Sequence, residues 1–151
     1  MRRLAVVSCA LAAAAVLVAG CQASGGIDVT EARVGAPTGP NAALYFTAST
    51  EGGEPDVLIG VSTDVAGNAE IHETTHAEDG TMGMRPVPSL ALPAGEPLTL
   101  EPGGLHVMLM DVTPLDEGER ISVTLQWQSA GEVEVEAEVV SPADTLGHDD
   151  G

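Results

Sequence analysis

Cysteine, lysine and aromatic side chains are nearly missing from this 151-residue chain. Its two cysteines, Cys9 and Cys21, both fall near the start, so everything beyond Cys21 lacks a thiol for a disulfide, a thiolate metal ligand or a nucleophile. Lysine is absent, and beyond the first residues only Arg33, Arg85 and Arg120 stand against 23 acidic residues, a charge of −20. Phosphate binding needs clustered cations, so nucleic acid is excluded as a partner. No "D-x-D-x-D-G" loop accompanies the acidity, which reads as solubility rather than as a calcium site. The aromatics are Tyr45, Phe46 and Trp127 alone, with Trp127 expected as core filler. Neither "G-x-S-x-G" nor "H-E-x-x-H" occurs, and no Ser–His–Asp grouping can be picked out, so hydrolase chemistry has no support. No segment carries a sustained helical stripe, and no internal repeat is visible.

What is present begins with an export-type leader. "MRRLAVVSCALAAAAVLVAGCQASGG" has two arginines, an apolar run from Leu4 to Val18, and small residues before Cys21. The run is too short for a membrane-spanning helix. "VAGC" resembles a bacterial lipobox, which makes residues 1–20 a lipoprotein signal peptide and Cys21 the lipidated first residue of the mature protein. An ordinary signal cut near Ala19 or Gly20, or an uncleaved anchor, fits the same segment. The lipobox reading places the protein on the outer face of the bacterial cytoplasmic membrane, tethered to it without spanning it. Residues 21–26 then form a flexible spacer.

From Ile27 the chain breaks into short alternating runs punctuated by Gly, Pro, Asp and Asn. The expected strands are "IDVTEARVG", "NAALYFTAST", "DVLIGVSTDV", "NAEIHETT", "GMRPV", "EPLTLEP", "LHVMLMDV", "RISVTLQWQS" and "EVEVEAEVV". Many short strands with regular turns predict an antiparallel β-sandwich, one domain over residues 27–141, with a loose tail over 142–151.

Histidine and methionine are unevenly placed. Apart from Met1, the methionines Met82, Met84, Met108 and Met110 lie within 29 residues, and His72, His76 and His106 fall in or just before that span. The rest of the domain fills its core with Val, Leu, Ile and Ala, so methionine as scattered gap-filler does not describe this pattern. Residues i and i+2 of a strand share a face. In "GGLHVMLMDV", Leu105, Val107 and Leu109 therefore face the core, and His106, Met108 and Met110 face away from it. Met82 and Met84 form a second such pair. In "NAEIHETT", Ala69 and Ile71 face inward, whereas Glu70 and His72 do not. Imidazole plus thioether without thiolate is a soft-leaning donor set, better suited to Cu(I) than to zinc, calcium or magnesium. The alternative is packing: Met108 and Met110 lining the second face of a buried strand, with His106 hydrogen-bonded at its start. A blue-copper electron-transfer site is excluded, because it needs a cysteine thiolate.

The spacing is more specific than the composition. His72 is followed after eleven residues by Met84, after twenty-one more by His106, and after one more by Met108. This resembles the signature of the PCuAC family of periplasmic copper chaperones, as do "AEIHETT", "MGMRPV", "LPAGEPLTLEPGGLHVMLMDV" and "GERISVTLQW". The first gap is one residue longer than the family pattern. An insertion in a hairpin turn near "AEDG" accounts for it, and leaves both Met82 and Met84 eligible, with the intact second gap favouring Met84. The resemblance implies a cupredoxin-like Greek-key β-sandwich with an exposed Cu(I) site formed by His72, Met84, His106 and Met108. His76, Met82 and Met110 are auxiliary candidates, Met110 as packing around the site, and His148 in the tail is read as solvated. It further implies a monomeric, non-enzymatic carrier. Its acceptor would be the copper-site subunit of cytochrome c oxidase or another copper chaperone. Copper buffering, and a structural lipoprotein without metal, are the rival readings.

Overall fold

A computed structural model describes residues 26–37 and 39–145. The expected signal peptide, Cys21 and His148 lie outside the described residues. The chain forms ten strands: β1 (Ile27–Gly35), β2 (Asn41–Thr50), β3 (Asp56–Ser62), β4 (Asn68–His76), β5 (Met82–Pro86), β6 (Leu90–Leu92), β7 (Leu98–Leu100), β8 (Leu105–Met110), β9 (Arg120–Trp127) and β10 (Gly131–Val140). Along the hydrogen-bonded path they run β5-β4-β8-β2-β1-β10-β9-β3-β6, with β7 joined to β2 beyond the end of β8. The β-sandwich class read from the sequence holds. One pair departs from the antiparallel rule: β1 and β10 run parallel, in the register Arg33↔Glu138 to Gly35↔Val140.

β1 belongs to both halves of the molecule. Its first residues pair with the end of β2. Its register then shifts between Thr30 and Arg33, where Glu31 takes a positive φ of 55°. Such a bulge bends and twists a strand, and the last residues of β1 hold β2 on one edge and β10 on the other.

Alternation decides what lies inside. On β2, Ala42, Leu44, Phe46 and Ala48 are buried; on β9 it is Ile121, Val123, Leu125 and Trp127; on β10 it is Val133, Ala137 and Val139. These side chains share one core with Leu58, Leu92, Leu100, Val107 and Leu109, and Trp127 is the core filler expected of it. At roughly 1.5–3 kcal/mol for each fully buried large apolar side chain, this set is the principal term holding the strands together. The core also contains one deliberate carboxylate. Asp56 accepts hydrogen bonds from the backbone N–H groups of Val57 (2.7 Å), Ser129 (2.9 Å) and Ala130 (2.9 Å), pinning the β9–β10 turn to the start of β3.

The tail reading needs correction at its start. Residues Pro142–Thr145 form one helical turn rather than a loose end. The Ser141 hydroxyl accepts the Asp144 N–H (3.2 Å) and donates to the Asp144 carboxylate (2.7 Å), a local cap. Thr145 is buried, with its methyl over Gly35, where even a Cβ would crowd it at 3.2 Å.

Candidate metal centre

The centre grows from the outer face of four neighbouring strands. β4 and β8 pair so that Glu70 lies opposite Met108, and His72 opposite His106. β4 and β5 pair so that Thr74 lies opposite Met84, and His76 opposite Met82. β2 closes the other side of β8, with Ala43 opposite Met108. Because side chains of one face recur every second residue, these pairs bring His72, Met82, Met84, His106 and Met108 to the same surface of the sheet. Met84 is the diagonal cross-strand neighbour of His72, within the reach of long side chains; Met82 lies one pair farther along.

The first gap of the spacing, from His72 to Met84, spans the β4–β5 turn. Ala77 and Thr81 close that turn by a backbone bond of 2.9 Å, and Gly80 donates to the Ala77 carbonyl at 3.0 Å. Gly80 has a φ of 83°, a conformation that suits glycine. Asp79 accepts from the Thr81 N–H at 2.9 Å and from its hydroxyl. Beyond this turn the β4–β5 pairing is continuous from His76↔Met82 to His72↔Pro86.

A hollow of about 210 Å³ is lined by Tyr45, Thr74, Met82, Met84, His106 and Met108, with small residues at its floor and rim. That is below the usual size of an organic-ligand pocket and ample for an ion. Of the two histidines only His106 lines it; the His72 ring stands beside His106, with centroids 5.8 Å apart at an interplanar angle of 66°. His106 is only 3 % exposed, whereas Met82 and Met84 are 64 % and 59 % exposed. The expectation of an exposed four-residue site is corrected here. The histidine end is closed, because His106 packs between His72 and the Tyr45 ring, 6.4 Å away; the methionine end on β5 is open to water.

Each imidazole has one engaged nitrogen and one orphan. His106 Nδ1 faces the Gly104 carbonyl at 3.4 Å, and His72 Nε2 faces a Glu70 carboxylate oxygen at 3.1 Å. His106 Nε2 and His72 Nδ1 are buried and have no hydrogen-bond partner among the described residues. Buried polar atoms are rarely left so. Burial lowers the pKa of His106, the Gly104 carbonyl opposes that shift, and the nearby His72 adds to it, a balance that favours the neutral ring.

Neither His76 nor Met110 lines the hollow. His76 is exposed, with Nε2 3.5 Å from the Gly103 carbonyl. Met110 lies at the far end of β8, opposite Asn41 and Asn68, and does not line the hollow. Tyr45 was not anticipated as part of this site. Its signal was present: in "NAALYFTAST" it alternates out of phase with the buried Leu44 and Phe46. Burial raises its pKa, against the lowering effect of Arg33, whose guanidinium sits 5.8 Å from the ring centroid. Among the described residues no three of His, Cys, Asp or Glu converge as a possible metal cluster, so nitrogen and thioether sulfur are the donors on offer.

An all-β cupredoxin-like domain with paired imidazoles and thioethers on one outer sheet face defines the class. A family model described as "Putative lipoprotein LpqE-like" matches residues 27–139, and the chain belongs to this LpqE-like family. It is 34 % identical over 104 residues to "Putative lipoprotein Lxx21020" of Leifsonia xyli subsp. xyli (strain CTCB07), a match covering 68 % of this chain and 62 % of that relative. The chain thus spans less than two thirds of the length of that relative. Among solved structures it is similar to the copper-bound PCuAC domain from PmoF2, at 28 % identity and a TM-score of 0.65, over 80 % of this chain and 97 % of that one. It is also similar to apo-DR1885 from Deinococcus radiodurans, at 35 % identity and a TM-score of 0.61, over 93 % and 95 % of the two chains. A second structure of that protein is its Cu(I) form. The PCuAC resemblance read from the motif therefore stands.

Proposed function

We propose that this protein is an extracytoplasmic Cu(I)-binding metallochaperone, held at the membrane by a lipid on Cys21, and that His72, Met84, His106 and Met108 bind the ion. The observation that carries this reading is the pair of buried imidazole nitrogens without hydrogen-bond partners, on adjacent rings of which His106 lines a hollow shared with Met82, Met84 and Met108. Neutral imidazole and thioether suit Cu(I), and both persist outside the cytoplasm better than a free thiolate does. The copper-bound PmoF2 domain and the Cu(I) form of DR1885 support the choice of metal, and the lipoprotein names of the family and relative support the anchor. The copper is cargo: it is bound, carried and handed on, and no substrate is transformed.

The test is a Cu(I) titration against a competing chelator, beside a Met84→Leu, His106→Ala, Met108→Leu variant. The expected result is one tight site per chain, lost in the folded variant. Equal copper uptake by both proteins sinks the ligand assignment.

A further inference from the structure

Asn68, Glu70 and His72 recur every second residue on β4 and share its outer face. The Asn68 amide donates to one Glu70 carboxylate oxygen at 3.1 Å, and His72 Nε2 lies 3.1 Å from the other. A carboxylate only accepts, so the proton of this bond sits on Nε2 and the lone pair of His72 sits on Nδ1. That nitrogen is buried and has no partner among the described residues. On the facing ring the same logic runs through the backbone. The Gly104 carbonyl, also only an acceptor, accepts a hydrogen bond from His106 Nδ1–H, which puts the lone pair on Nε2.

We propose that Glu70, itself held by Asn68, is a positioning residue that fixes the His72 ring so that Nδ1 binds the metal, opposite Nε2 of His106. This rests on the ligand reading above and deepens it to the level of atoms. Outer carboxylates commonly orient metal-binding histidines in this way. The contribution of Glu70 is orientation rather than charge. Its side chain is 44 % exposed, so its field is screened by water and salt. Without the carboxylate the ring is free to turn, and its lone pair no longer points at the site.

The experiment uses the full chain with ¹⁵N-labelled histidines and Ag(I) as a redox-inert stand-in for Cu(I). On adding Ag(I), the His72 Nδ1 and His106 Nε2 resonances move, while His72 Nε2 and His106 Nδ1 keep their protons. Glu70→Ala lowers Ag(I) affinity by about 10- to 100-fold and loses the protected His72 N–H signal, with the backbone amide spectrum otherwise retained. Glu70→Gln keeps an accepting oxygen, and keeps both the signal and the affinity. A metal-induced shift at His72 Nε2 overturns the proposal. So does wild-type affinity in Glu70→Ala, or a Glu70→Gln variant as weak as Glu70→Ala. A His72→Ala variant separates the two levels: undiminished binding there defeats the ligand reading as well, whereas weakened binding there beside an unaffected Glu70→Ala defeats only the positioning role.

Discussion

Single residues in this protein divide sharply by what their polar atoms face. Burial acting alone would raise the pKa of Asp56, but the N–H groups of Ser129, Val57 and Ala130 outweigh it and hold the carboxylate below its usual range. A group with a depressed folded pKa contributes stability above its unfolded value near 3.8 and loses that contribution as pH falls through the folded value. Asp56→Ala should therefore cost about 2–4 kcal/mol at pH 7, since it strands buried donors of a charged acceptor. Urea unfolding at pH 7 and pH 3 checks this: the gap between wild type and variant should narrow at the lower pH. The candidate site residues stand out in the sequence because methionine and histidine are scarce here, and their i, i+2 spacing singles out a strand face. Three things were not legible at this scale. The burial of His106 depends on Tyr45 from another strand, the division of each ring into engaged and orphan nitrogens depends on Glu70 and Gly104, and Asp56 reads as an ordinary turn acid until its partners arrive from across the sheet.

At the level of elements, β1, β2, β4, β8, β9 and β10 lie close to their sequence-read bounds, and β2 and β9 alternate most cleanly. β6 was missed: "LAL" is only three residues long and its burial comes from pairing with β3. The parallel β1–β10 contact was equally invisible, since it joins segments from opposite ends of the domain. The β4–β5 hairpin is where the irregular first gap can be tested. Pairing from His72↔Pro86 to His76↔Met82 is continuous, and the loop from Ala77 to Thr81 joins the two strands. Deleting Glu78 should thus restore the family spacing and leave Cu(I) affinity within about threefold, because small changes in loop length cost little. A chelator-competition titration of the deletion variant checks this. A loss much greater than that would mean the loop holds the register, rather than the strands.

On the scale of the whole molecule, the fold gathers the candidate donors of an acidic chain on one outer sheet face. Carriage and storage make opposite demands on the same site, and a cellular measurement separates them. Deleting the gene should lower cytochrome c oxidase activity when copper is limiting, and added copper should restore it. Normal activity under limitation, with copper sensitivity instead, would assign the site to buffering. The contrast between a closed His106 and open Met82 and Met84 gives the centre a direction. Anything arriving from solvent meets sulfur on the edge strand first and nitrogen on the interior strands last. With the proposed ligands, exchange would begin at the thioethers as its threshold and end at the imidazoles as its last hold.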